Sequence, residues 1–586
     1  MIMKTRSFNL TTEPWLKVIS LADNQEKTVS LIELFENAQS YRELSGEMRS
    51  QDLAILRFLL AILTTVYSRF DPKGEPYPWL KLDKDSLKDI EKVDEDDQLI
   101  RRQISKDLLN TWKQLYGQNG EGHFTKIVTT YLRRYNQRFD LFGESPFYQV
   151  GERDYNRLVP TNKQISGSEG PGKVAIKQMN RQISESGNKP SLFSPKTPEF
   201  KNQLKLDELT RWLISYENYS GVTDKTKINM SAKYSVSSGW LYKLNPVYAT
   251  GDNLFQTLML NLILINQNRT NRPYTPQKPV WEYSVAQYIS KREKMLQPDN
   301  LAELYTVWSR MLHINWSKNG DPTIFSAGLP MFDSAAAFIE PMTTWRVRKE
   351  DGKHVPAEKR LSTMGTAMWR NFGQYVPLET DNHESEKAKP GIVKWLKQLK
   401  EADGIPQKTR LTLASADLIR DDNAASQMPA AEIFDDMQID ADVLFDEDPS
   451  AAQKWPDRIE DMIVLTQKIG SDYWRFAANI GRLRNVDDRS FANKMIAEFY
   501  DGLNVPFKNW LRSLNNIDDR DTQSNDWKKK LKDYVQEVAD EVIQSSSPRD
   551  MTGFVDVNGV IDKNKGLVNI FTINNQFRTQ VFRDMG

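Results

Sequence analysis

The sequence predicts an α+β protein in two parts: a large mixed α/β N-terminal domain with long loops, residues 1–440, followed by an antiparallel four-helix bundle, residues 441–586. Three observations carry this. Short apolar groups near the N-terminus have the length of strands, an apolar block after Gln51 has helical spacing, and amphipathic stripes fill the chain beyond residue 450.

Taken in order, Phe8, Leu10 and Trp15–Val18 form one apolar group and Val29–Leu34 a second, with the polar ADNQEK stretch between them. Two short strands joined by a turn are expected there. DLAILRFLLAILTTVY places apolar residues at 53, 56, 59, 60 and 63, which predicts a core helix. Helical patterns recur over 87–140 and end at LFGESPFYQV (141–150), where Gly143 and Pro146 interrupt regular structure. Residues 158–200, rich in Ser, Gly, Pro, Asn and Lys, predict a long mobile loop, a kind of segment that is usually functional or disordered. A helix follows at 205–216, then a polar loop, then the apolar block NLFQTLMLNLIL (253–264). Alternating short apolar runs and turns predict β-rich structure over 320–375. Met462, Leu465, Ile469, Tyr473, Phe476 and Ile480 draw one helical stripe. Phe491, Met495, Phe499, Leu503, Phe507 and Trp510 draw a second, and Leu531, Val535, Val538 and Val542 a third. The domain boundary is expected in the acidic stretch 432–448, read as a solvated linker.

Composition narrows the function. The 586 residues hold 79 Lys plus Arg against 79 Asp plus Glu, four His and no Cys. A disulfide framework, a thiolate nucleophile and a Cys-ligated metal site are thereby excluded. The N-terminus shows no secretory signal, and FLLAIL (58–63) and LMLNLILI (258–265) fall short of the roughly 18 residues that span a bilayer, so a soluble, cytoplasmic chain without a membrane partner is expected. Zero net charge argues against an autonomous, strongly basic nucleic-acid binder. Charge is nevertheless segregated: Arg157 to Lys205 carries nine basic residues against three acidic ones, whereas Glu432 to Asp448 carries eight acidic and no basic ones.

The catalytic inventory is thin. His123, His313, His354 and His383 are scattered, none in a metal-binding doublet, and there is no phosphate-binding glycine loop or nucleophile elbow. No enzyme, metal or cofactor is expected. The least favoured alternative, a metal-dependent nuclease using the 432–448 carboxylates, requires those acids to converge on metal ions. Binding chemistry lies in three polar loops. In 158–200, Lys173 and Lys177 lie among Gly and Ser, and Leu192 and Phe193 sit near the end; 220–240 carries Lys225, Lys227 and Lys233; 418–429 contains the small residues Ala424, Ala425 and Ser426, fit for a narrow groove.

FNLTTEPWLKV (8–18), VSLIELFENA (29–38), DLAILRFLLAIL (52–63), GESPFYQ (143–149), NKPSLFSP (188–195), LTRWLISYENYSG (209–221) and GDNLFQTLMLNL (251–262) follow one another in an order that resembles the CasA family, the large subunit of the type I-E CRISPR surveillance complex Cascade. The resemblance spans most of the first 430 residues. It implies a non-catalytic subunit that reads the protospacer-adjacent motif in duplex DNA, helps open the duplex for guide-RNA pairing, and docks a helicase-nuclease. Its partners would be the other Cascade subunits, the guide RNA and double-stranded target DNA. Carried over to this chain, the family's wedge falls on Asp422, Asn423, Ala424, Ala425 and Ser426. The loop that contacts the guide and a neighbouring subunit falls on about 166–196, with Lys173, Lys177, Leu192 and Phe193. The family's glycine-rich loop is replaced by 220–240, where only Gly221 and Gly239 remain, so Lys225, Lys227 and Lys233, with Gly239, are the expected DNA contacts. A scaffold that binds protein alone is the competing expectation.

Overall fold

A computed structural model describes residues 6–585 except 84–85, 88–96, 175–178, 180–202, 222–225, 237, 267–273, 318–319, 407, 421–428, 450–451 and 557–565. Two compact units emerge. The first comprises residues 1–364, 387–406 and 413–435; the second comprises 365–386, 407–412 and 436–586.

The first unit is built around the helix Arg49–Tyr67, buried along nearly its whole length. This helix is long and apolar enough to cross a membrane by length and composition, yet its apolar window is entirely inside the protein. Phe58 lies at its centre, with its ring 5.6 Å from those of Phe147 and Trp281 and 6.0 Å from that of Trp15. Such edge-to-face contacts add to the area each ring buries. The N-terminus of this helix is closed by carboxylates: Glu432 accepts from the Ser50 amide at 2.7 Å, and Asp52 accepts from the Gly46 amide at 2.7 Å.

Around it lie small sheets. β1 (Leu16–Ser20) pairs antiparallel with β2 (Glu26–Val29) and β3 (Tyr41–Leu44); the first expected strand is present, but its partner begins within the polar stretch expected to turn, and most of the second apolar group forms the helix Leu31–Asn37, capped by Ser30. β4 (Lys173–Val174), β6 (Arg310–Trp316) and β7 (Pro322–Gly328) form a second sheet with β7 central. β5 (Tyr248–Thr250) lies beside β10 (Arg410–Arg420), which pairs on its other edge with β11 (Pro429–Asp440). β8 (Trp345–Val347) and β9 (His354–Pro356) make a separate hairpin. The expected β-rich region 320–375 is thus mixed, since 3-10 turns occupy Leu361–Thr363 and Met368–Asn371. The block after Gly251 is the helix Leu254–Asn261, capped by Asn253.

In the second unit, the helices Trp455–Leu483, Asp488–Ser513, Arg520–Gln544 and Ile570–Met585 form the bundle. Asp487 and Asp519 cap the second and third of these by accepting from the amides of Ser490 and Thr522. The predicted stripes face inward: Ile469, Tyr473, Phe476, Phe499, Leu503, Phe507, Leu531 and Val535 are all buried. The C-terminal residues supply two elements, a strand pair, β12 (Phe554–Val555) with β13 (Leu567–Val568), and the fourth helix. Phe577 of that helix stacks on Phe476 at 4.7 Å.

The acidic stretch departs from the expectation of a solvated linker. Residues up to Asp440 form strand β11, and Ala441–Leu444 is a short helix. Asp446 is buried: its carboxylate accepts from the Trp455 amide at 3.0 Å and from Arg520 at 2.6 Å. Glu432, Asp436 and Asp440 also have partners, in the Ser50 amide, Lys508 and Arg410, because an edge strand tolerates charge and a buried carboxylate requires a donor or a cation.

Candidate nucleic-acid interface

The polar loop 220–240 starts where the helix Leu206–Tyr219 ends, and its entry is fixed by buried charge. Glu217 Oε2 accepts from the Ser309 amide at 2.6 Å, the Ser309 hydroxyl at 3.1 Å and the Arg310 amide at 2.9 Å. Arg310, fully buried, donates from its guanidinium to the Ser309 carbonyl and to the carbonyl of Gly221. Ser220 and Ser309 share a hydroxyl hydrogen bond of 2.7 Å. The first residue of the loop is therefore tied to β6.

Beyond the entry, the loop runs along the β4 side of β7, past the end of β4. The Gly328 amide donates to the Thr226 carbonyl at 2.9 Å, Lys227 bridges Gly328, and Val236 bridges Pro330. Tyr234 folds back so that its hydroxyl donates to the Gly328 carbonyl at 2.8 Å, and Lys227 donates to the Tyr234 carbonyl at 2.9 Å. On the same β7 edge, Lys173 of β4 pairs with Phe325, and the Ser326 amide donates to the Gly172 carbonyl at 2.8 Å. Two segments singled out far apart in sequence thus meet on one strand, and Lys173, Lys227 and Lys233 are all exposed there.

After Trp240 the chain continues as a strap. The Asn245 amide donates to the Ala357 carbonyl at 2.8 Å and the Val247 amide to the Met342 carbonyl at 2.9 Å, at the base of the β8–β9 hairpin. The strap then becomes β5, alongside β10. One segment, 226–250, therefore carries the lysine loop, braces the β8–β9 hairpin and flanks the stem of the β10–β11 hairpin. That stem is held by Glu432, through Ser50, and by Phe434, whose ring lies 5.4 Å from the Arg49 guanidinium.

Not every expected residue falls at this surface. Asp422, Asn423, Ala424, Ala425 and Ser426, together with Lys177, Leu192, Phe193 and Lys225, lie outside the described residues. Of the hairpin on which the wedge is expected, the structure describes the stem, the two long paired strands on either side of 421–428. Gly239, expected at the DNA, is instead buried. Its amide donates to the Ser220 carbonyl at 2.9 Å, and a Cβ there would sit 2.2 Å from the Asn218 carbonyl carbon. The absence of a side chain at 239 serves close backbone packing.

The β8–β9 hairpin lies within the region expected to be β-rich, but its basic turn is not among the expected contacts. WRVRKEDGKHVP (345–356) puts Arg346, Lys349 and Lys353 in exposed positions around a turn with Gly352 at φ +69°. The Asp-Gly pair between alternating residues was the available signal.

Burial pushes the Glu217 carboxyl up to about 7, against the hydrogen bonds that favour its charged form, and its Oε1 has no partner among the described residues. Asp52 is also pushed up to about 7, again by burial. A raised carboxyl stabilises the fold fully below the ordinary carboxylate range, and that contribution is lost as pH rises through 7. Thermal melts are therefore expected to show higher stability at pH 5.5 than at pH 8, by about 2 kcal/mol for each group. Glu217→Gln, which keeps an acceptor and cannot titrate, should remove about half of the difference and leave the Asp52 share. An unchanged profile in that variant would assign the pH dependence elsewhere.

Comparisons with known proteins can now be set beside this geometry. The chain matches the family described as CRISPR-associated protein Cse1 over residues 9–538. The crystal structure of Thermobifida fusca Cse1 superposes with a TM-score of 0.76 at 19% identity, covering 100% of this chain and 99% of that one. Cse1 from Acidimicrobium ferrooxidans gives 0.68 at 19% identity, covering 99% and 98%. A chain of a CRISPR RNA-guided surveillance complex gives 0.62 at 14% identity, covering 98% and 99%. No curated protein matches. At such identities the superpositions establish a shared fold, and the family match covers most of the sequence; this chain belongs to the Cse1 family of CRISPR-associated proteins.

Proposed function

We propose that this protein is a non-catalytic subunit of a cytoplasmic, RNA-guided Cascade complex. It reads the protospacer-adjacent motif in double-stranded DNA, opens the adjoining base pairs for the guide RNA, and docks the helicase-nuclease that follows. The observation that carries this reading is the β10–β11 hairpin. Its stem is anchored to the core helix, and its connecting residues include the small side chains Ala424, Ala425 and Ser426. A rigid stem is what a wedge needs, because force on a base pair has to be resisted by the scaffold behind it. The minor groove, about 6 Å wide, admits small side chains and carries a degenerate pattern, which suits a reader of short motifs.

Lys227 and Lys233 fit phosphate contacts, which position the duplex without specifying sequence. Zero net charge leaves the isolated chain a weak binder. Assembly then supplies affinity through simultaneous attachment to motif and guide. The nuclease alternative needs the 432–448 carboxylates to converge on metal ions, whereas Asp436 pairs with Lys508 and Asp446 with Arg520.

Neutralising both lysines, Lys227→Gln with Lys233→Gln, is expected to lower the salt slope of duplex binding by the assembled complex by about two, since each phosphate contact contributes about 0.9. An unaltered slope would favour the scaffold reading, in which this subunit meets only protein.

A further inference from the structure

Among the described residues, the Arg370 guanidinium has no acceptor. Arg57, Arg69, Arg211, Arg292 and Arg310 each give their protons to carboxylates or backbone carbonyls. Arg370 is half-buried, its Nε is buried without a partner, and among the described residues no carboxylate pairs with it. A guanidinium half withdrawn from water, with its Nε unpaired and no counter-charge among the described residues, is costly, so its persistence calls for an explanation.

The second unit holds this side chain in place from several directions. Trp369 stacks on Phe507 at 4.1 Å and donates from its indole to Asn504 at 3.0 Å. Gln467 donates to the Arg370 carbonyl at 2.8 Å. The guanidinium then lies 3.4 Å from the centroid of the Tyr500 ring. That ring has its seat because position 470 is glycine: a Cβ there would stand 2.1 Å from the Tyr500 hydroxyl. Stacking fixes the plane of the guanidinium and leaves its terminal donors for a two-point acceptor such as the two non-bridging oxygens of a phosphate. Burial lowers the Arg370 pKa, which an arriving anion would reverse.

We propose that Arg370, stacked on Tyr500, is an anion site that takes a backbone phosphate of the nucleic acid bound by the assembled complex. The proposal rests on the nucleic-acid reading above and adds to it a sequence-independent contact from the helical unit. A phosphate is the acceptor that the nucleic-acid reading supplies, and a backbone contact should strengthen all duplexes alike.

The test uses the full complex with guide RNA and two matched duplexes, one with a permissive flanking motif and one with a scrambled motif, titrated across a salt series. Arg370→Gln should lower the slope of log affinity against log salt by about one and weaken both duplexes about ten-fold, leaving their ratio unchanged. Arg370→Lys should restore the slope. Urea denaturation of the free Arg370→Gln chain controls for folding, as loss of the stacking contact alone moves stability but not the slope. A wild-type slope in Arg370→Gln overturns the proposal, as does loss of a protein subunit at constant slope, which would make the ligand an acidic protein surface. Failure of the wild-type complex to distinguish the two motifs would count against motif reading and leave the Arg370 comparison intact.

Discussion

Arg57→Ala should destabilise the first unit by about 3–5 kcal/mol, the range expected when one member of a buried ion pair is removed. Arg57 and Glu340 are both wholly inaccessible, joined by two hydrogen bonds of 2.9 and 2.8 Å. Glu340 also accepts from the Trp240 indole at 2.6 Å and from the Met342 amide at 2.9 Å, while Arg57 lies 4.4 Å from the Tyr305 ring centroid. Without the guanidinium, the carboxylate would remain buried with neutral donors alone. Trp240 begins the strap that runs to β5, so the damage should spread to the lysine loop and the hairpin stem. Urea unfolding measures the loss. The double replacement Arg57→Leu with Glu340→Leu should be milder than the sum of the two single replacements, because it leaves no charge stranded. A single-variant loss below about 1 kcal/mol would mean the pair is not the keystone described here.

The second large effect is functional. Replacing Asn423, Ala424 and Ala425 together by Glu should weaken motif-dependent duplex binding by at least about 100-fold while the complex still assembles. Carboxylates entering a groove lined by phosphates are repelled, and their bulk exceeds what the narrow groove accepts. Assembly should survive because the stem is held by backbone pairing and by Glu432 and Phe434, none of which is altered. Electrophoretic mobility shifts with permissive and scrambled motifs, alongside size exclusion of the complex, separate the two outcomes. Retained motif preference in the triple variant would remove 422–426 from the reading of DNA.

How much of this was legible in sequence depends on what each element packs against. The bundle helices were readable because one face of each is wet, so burial writes a 3.6-residue stripe. The fourth helix was harder to recognise. Ile570, Ile573, Phe577 and Val581 form its buried stripe, but the exposed Phe571 and Phe582 obscure it. The third strand of the second sheet was illegible for a different reason: β4 has two residues and finds its partner, β7, some 150 residues away in sequence, beyond any local pattern.

The acidic stretch was misread because charge was taken as a mark of solvation. β11 is an edge strand, where acids can point outward or find a partner, as Asp436 does with Lys508 at 3.1 Å. At the site, Lys173, Lys227 and Lys233 were identifiable by type, and the fold brings them to an exposed edge. Gly239 was not, since a glycine near a ligand and a glycine under a helix end look alike in sequence; only the approach of Asn218 distinguishes them.

The most direct measurement is duplex binding by a guide-loaded Cascade core with and without this protein, comparing a matched target beside a permissive motif with the same target beside a scrambled one. Tight binding that requires both this protein and the permissive motif is the predicted result. Equal binding in its presence and absence, or equal binding to the two motifs, would contradict the claim that this chain reads the motif.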